Sequence, residues 1–189
     1  MIEQTLGLVL NIIFPLFGAM LLLRAWGYAI RLHPYNPYQQ AILRLTDWLV
    51  RPLRKIVPTG RQIDCPSLLA GWLCAILYLQ LNNWVLGAPM TATLEQVPAQ
   101  ILLALLTLAT WACNLIVWGT IIQAILSWVN PLAPIMPVLH TLTAPLLNPI
   151  RRLMPNLGGL DLSPLVLIVL AQIVMGVLRR LAFGSLSLF

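Results

Sequence analysis

Four apolar windows, residues 5–30, 68–86, 99–129 and 162–183, constrain this chain more than any other feature, because each reaches the roughly 20 residues that cross a hydrocarbon core of about 30 Å. Backbone amides inside such windows find no water, so the windows must be helices unless the chain closes into a barrel. Their apolarity is continuous rather than alternating, which argues against the barrel. The third window is long for one span, and its end reads as a helix leaving the membrane near Pro131. Only 8% of the residues are charged and the mean hydropathy is +0.89, where a soluble domain has about 25% charge. The opening MIEQTLG lacks a basic segment, so the first window reads as an uncleaved anchor.

Between the windows, charge is uneven. Arg31, Arg44, Arg51, Arg54, Lys55 and Arg61 lie between the first and second windows, and Arg151 and Arg152 between the third and fourth. The connection 87–98 has no basic residue and contains Glu95; the N-terminal tail has Glu3. Positive loops stay inside, so both long loops are expected in the cytoplasm and both termini in the periplasm, against the vote of Arg179 and Arg180 at the far end of the last window. For a basic loop beside a bilayer the nearest partner is the anionic headgroup layer. Nucleic acid is not expected, since aromatic stacking or groove-reading elements are missing.

Sliding the sequence over itself by 97 residues brings LTDWLVRPLRKIVPTGRQIDCPS (45–67) over LTAPLLNPIRRLMPNLGGLDLSP (142–164) without a gap. Thr46 meets Thr143, Pro52 meets Pro149, Arg54 meets Arg151, Pro58 meets Pro155 and Asp64 meets Asp161, while Pro34 and Pro37 upstream meet Pro131 and Pro134. The expected architecture is therefore an all-α membrane protein of four transmembrane helices in two parallel two-span repeats, 1–97 and 98–189. Two spans separate the copies, so both enter the membrane in the same direction.

Each copy also carries a surface segment. Ile42, Leu45, Leu49, Leu53 and Ile56, like Leu139, Leu142, Leu146, Ile150 and Leu153, step by three and four residues and form one apolar stripe on a helix. Arg51, Arg54 and Lys55, or Arg151 and Arg152, fall mostly off the stripe. This predicts a cytoplasmic amphipathic helix at the membrane interface, its cations toward lipid phosphate or an acidic partner segment. Pro52 and Pro149 should kink or divide that helix, with Asn148 and Pro149 starting a second one.

Asp64 and Asp161 precede the second and fourth windows. Helix capping is the plainer reading, with Ser163 and Pro164 as N-cap and first residue. The sharper ones are a pair with an arginine of the same half, or two aspartates facing each other around a cation. Gly158 and Gly159 supply a tight turn without a phosphate-loop pattern. Arg24, near the cytoplasmic end of the first window, is expected to snorkel to the surface. Asn11, Gln80, Asn114, Gln123 and Gln172 are candidates for hydrogen bonds between helices. His33 and His140 stand singly as surface residues, Cys65, Cys74 and Cys113 form no CxxC, and no metal, cofactor or catalytic motif is expected. Trp84 and Trp128 suit the aromatic belt at span ends.

AILSWVNP (124–131), followed by LTAPLLNPIRR and PNLGGLDLSPLVLIVLAQ, resembles the YggT family, also called YlmG, and the likeness covers nearly the whole chain as two family repeats. The first copy departs from the pattern at RLHPYNP, in lacking the Gly-Gly, and in its Cys65-Pro66-Ser67 order. The resemblance implies a multi-pass bacterial inner-membrane protein without enzymatic activity, and links it to ion and osmotic homeostasis. Alternatively, it implies a scaffold or assembly factor for another membrane complex, such as cytochrome-type assembly or division and nucleoid organisation. A small oligomeric channel is the third possibility. Anionic lipid headgroups, a membrane-protein partner or a second copy are the partners expected.

Overall fold

The computed structural model describes residues 2–32, 36–60, 63–85, 87, 97–153 and 161–186. Among them all regular structure is helical, in the order α1 (Ile2–Ala29), α2 (Pro37–Leu53), α3 (Cys65–Val85), α4 (Val97–Val129), α5 (Met136–Leu153) and α6 (Ser163–Leu186). Four of these, over Glu3–Ala29, Cys65–Val85, Val97–Val129 and Ser163–Ala182, are long and apolar enough to cross a membrane. Their outward residues make the same point: Leu8, Ile12, Trp118 and Leu165 are each about 60% exposed, a surface that lipid covers and water would not.

The chain divides into two compact units, Met1–Trp111 with Leu178–Phe189, and Ala112–Val177. In the first, Leu21, Val50, Ala70, Cys74, Ala75, Ala104 and Trp111 form the core. Small residues let these helices approach. A Cβ on Gly18 would run into the Trp111 ring, and one on Gly71 would lie 3.1 Å from Leu108 Cδ1. In lipid, where apolar burial gives little drive, such close packing is a main source of helix association. Tyr78 of α3 donates to Asn11 Oδ1 of α1 at 2.7 Å, and Gln80 Nε2 to Gln100 Oε1 of α4 at 2.8 Å. In the second unit one cluster joins Val117 to Ala171 and Met175, and another gathers Ala133, Met136 and Leu139.

The turn from α1 into α2 is built from caps. Leu32 N–H bonds to Gly27 C=O and Arg31 N–H to Tyr28 C=O, with Arg31 at φ 54° in the left-handed position that usually holds glycine. Asn36 then caps α2 by accepting from Tyr38 N–H at 3.0 Å, with Pro37 as the first helical residue. So directed, α2 folds back across α1: a Cβ on Gly27 would meet Gln39 Oε1 at 2.6 Å, Arg24 meets Thr46 and Asp47, and Phe17 meets Trp48.

Two sequence expectations about proline change here. Pro149 does not divide its helix, since α5 runs unbroken through Pro145 and Pro149 to Leu153, and Asn148 with Pro149 starts no second helix. Each proline withholds one hydrogen bond while its fixed φ suits helical backbone, so a helix held by its neighbours absorbs the loss. Pro52 lies in the last turn of α2 and leaves Ile56 outside it. The fully buried residues of α2 are Gln39, Thr46 and Val50, while the apolar stripe is divided, Leu49 and Leu53 packing half-buried against the core and Leu45 and Ile56 standing exposed. In α5 the positions 97 residues on, Met136, Thr143 and Leu147, are again buried, joined by Leu139.

Candidate functional site

The buried polar chemistry of the first unit gathers on Arg24. Its side chain is 1% exposed, so it does not snorkel: carboxylates and carbonyls of α2 and of the α3 start draw the guanidinium inward. Nη1 donates to Thr46 Oγ1 at 2.7 Å and reaches Leu43 C=O at 3.5 Å, and Nη2 lies 2.8 Å from Asp47 Oδ1, an ion pair off the hydrogen-bond direction. Nε is 3.7 Å from Asp64 Oδ2. Removing one partner of such a buried set costs about 3–5 kcal/mol, because the other charge stays behind without its counterion.

Asp64 caps α3, its carbonyl accepting Leu68 N–H at 3.2 Å. The buried carboxylate takes its contacts on Oδ2: the Ser67 hydroxyl at 2.5 Å, Arg24 Nε, and Arg54 Nη2 at 3.7 Å. Among the described residues no donor reaches Oδ1.

In the second unit Asp161 holds the matching place with different surroundings. Arg151, the counterpart of Arg54, grips it by two nitrogens, Nε at 2.9 Å and Nη2 at 2.7 Å from Oδ2, while Oδ1 accepts Ser163 N–H at 3.0 Å. Burial pushes the Asp161 carboxyl up, but the Ser163 hydroxyl and amide and the Arg151 guanidinium outweigh it and hold it below its ordinary value. Leu162, one residue earlier than expected, supplies the first helical carbonyl of α6, to Val166 N–H, so Ser163 and Pro164 sit inside the helix.

Two aspartates thus do both things the sequence offered, capping and pairing within their own half. Gly158, Gly159, Pro155, Arg61, His33 and Glu95 lie outside the described residues.

The second unit replaces Arg24 with an amide. Gln123 of α4 is bonded through Oε1 by the Thr143 hydroxyl and through Nε2 to His140 Nδ1 at 2.9 Å. Thr46 and Thr143 are repeat equivalents: Thr46 accepts from Arg24 and donates to Ile42 C=O, whereas the single Thr143 proton has two acceptors in reach, Gln123 Oε1 and Leu139 C=O. In each half, therefore, a polar side chain on an apolar span clamps the same threonine of the following helix. Asp47 carries no motif in the sequence, and Thr46 stands out there only as a repeat match to Thr143. Their signal was there: the second copy has Ile121 and Ala144 where the first has Arg24 and Asp47, so the charges come and go together.

Outside these clamps stand the cations: Arg44, Arg51, Arg54 and Lys55 on or after α2, and Arg151 and Arg152 on α5, are all exposed. Among the described residues no three metal-ligating side chains converge.

A family model described as CCB3/YggT matches residues 3–85 and 102–182, so the duplicated unit is matched twice. The chain belongs to the CCB3/YggT family. Among its relatives is the uncharacterized protein YggT of Escherichia coli K12, 34% identical over 188 residues that cover 98% of this chain and 96% of the relative. An "Uncharacterized protein in proC 3'region" of Vibrio alginolyticus is 35% identical over 88% of this chain and 89% of its own. An uncharacterized protein of Haemophilus influenzae is 36% identical over 87% and 86%. No solved structure matches the chain.

Proposed function

We propose that this family member is a non-catalytic inner-membrane protein that supports ion and osmotic homeostasis by docking another membrane component on the outward faces of α2 and α5. One observation carries the reading: the carboxylates near these helices are turned to structural use, Asp47 and Asp64 on Arg24 and Asp161 on Arg151, while the cations face outward. Among the described residues none of Arg44, Arg51, Lys55 and Arg152 pairs with a carboxylate. Each of the two helices, clamped within its own unit by a buried threonine, presents a face of its own, and a preformed face lowers the ordering cost of recognition. The inward polar groups engage one another rather than lining a path, which favours a platform over a conduit. In the topology that the basic loops predict, this surface is cytoplasmic.

Photocrosslinkers at the exposed positions 41 and 148 in cells are the test. Wild-type protein should give a discrete adduct, and Arg51→Glu with Lys55→Glu and Arg152→Glu should abolish it and slow growth at high osmolarity. Normal growth with an unchanged adduct would overturn the reading.

A further inference from the structure

Arg44, Trp48 and Arg51 follow one another by four and three residues, so they share one stripe of α2, opposite the buried Gln39, Thr46 and Val50, and Lys55 follows in the turn just beyond the helix end. All four are exposed. From this stripe we infer that the first half alone carries a site for the phosphate headgroups of anionic phospholipid. The inference rests on the docking reading above and names the partner of its first half.

Three observations support a lipid occupant. The stripe and Lys55 together bear three cations and no carboxylate, because Asp47, the acidic residue of α2, is held by Arg24. Its central residue is packed on a candidate span: the Trp48 ring lies 5.7 Å from that of Phe17 of α1, a helix long and apolar enough to cross a membrane, with Leu45 exposed beside it. An exposed tryptophan beside an apolar span, with arginines one turn to either side, is the combination that suits the boundary between acyl chains and phosphates. A soluble acidic partner would have to enter the bilayer edge to cover it.

The third observation is an internal control. The equivalent positions of α5 are Thr141, Pro145, Asn148 and Arg152, all just as exposed. Shape and exposure are shared, but two of three cations and the tryptophan are gone, so recognition chemistry separates the halves where scaffold geometry does not. Polybasic attraction to an anionic membrane amounts to about fivefold per cation.

The test gives the first half the second half's residues. Full-length protein purified in detergent is titrated with dioleoyl phosphatidylglycerol or dioleoyl phosphatidylcholine and retained lipid is counted by native mass spectrometry. Arg44→Thr with Arg51→Asn should lower the preference for phosphatidylglycerol by about tenfold or more. Lys55→Gln should lower it by about fivefold, and Arg152→Gln should leave it within twofold. An unchanged preference in both stripe variants, or an equal fall in Arg152→Gln, overturns the site. If the stripe variants lose the cellular crosslink while keeping their lipid preference, the lipid assignment fails and the docking surface stands, with a protein as its occupant.

Discussion

At the scale of single residues, Arg24 and Asp161 show two ways of housing charge. Arg24 is buried, shared among Asp47, Asp64 and Thr46, and has no equivalent in the second half. Arg24→Ile should destabilise the protein by about 3–5 kcal/mol, chiefly by stranding Asp64. Asp47→Ala, at a site 40% exposed, should cost less, and the double variant should cost less than the sum. Denaturant titration in detergent measures all three, and strict additivity would sink the claim that they form one unit. Asp161, by contrast, is 43% exposed and its carboxyl is held below its ordinary value. Its contribution is present above the unfolded carboxylate pKa of about 4 and disappears as pH falls through the lowered folded value. The Tm of wild type minus that of Asp161→Asn should therefore be constant from pH 7 to 5 and shrink below about pH 4, by an amount worth less than about 1 kcal/mol.

At the scale of elements, the spans were legible and the faces of the surface helices only in part. Continuous apolarity located four helices to within a few residues, because length and the satisfaction of backbone groups leave little choice in lipid. The apolar stripe of α2 is divided between two surroundings, Leu49 and Leu53 against the core and Leu45 and Ile56 exposed. In water, Leu45 and Trp48 would have to be covered; beside a bilayer they need not be, so apolarity stops marking the inside. What marks it is the polar pair Gln39 and Thr46, placed to meet Gly27 and Arg24. Arg24 itself was misread because its partners lie 23 and 40 residues downstream, beyond any local pattern. The tight α1–α4 approach gives a direct check. Gly18→Val should force Trp111 aside and cost about 1–3 kcal/mol. Gly7→Val, where nothing lies within 4 Å, should leave the Tm unchanged; equal effects would show that Gly18 is not a packing site.

At the scale of the whole molecule, duplication explains both the likeness and the difference between halves. The clamped threonines Thr46 and Thr143 and the Arg54–Asp64 and Arg151–Asp161 pairs recur 97 residues apart, while the residues that clamp the threonines and cap α3 and α6 do not keep that offset. The buried charge belongs to one half only. That asymmetry bears on how the chain is made. An arginine at the centre of a span costs about 2.5–3.5 kcal/mol to insert, and proximity to the end reduces this without removing it. Asp47 and Asp64 emerge from the ribosome after Arg24, the later one 40 residues behind, which at about 5–20 residues per second is on the order of 2–8 seconds. Until then the set around Arg24 is incomplete, first without Asp47 and then without Asp64, so the buried arrangement of the first helix depends on the start of the next span.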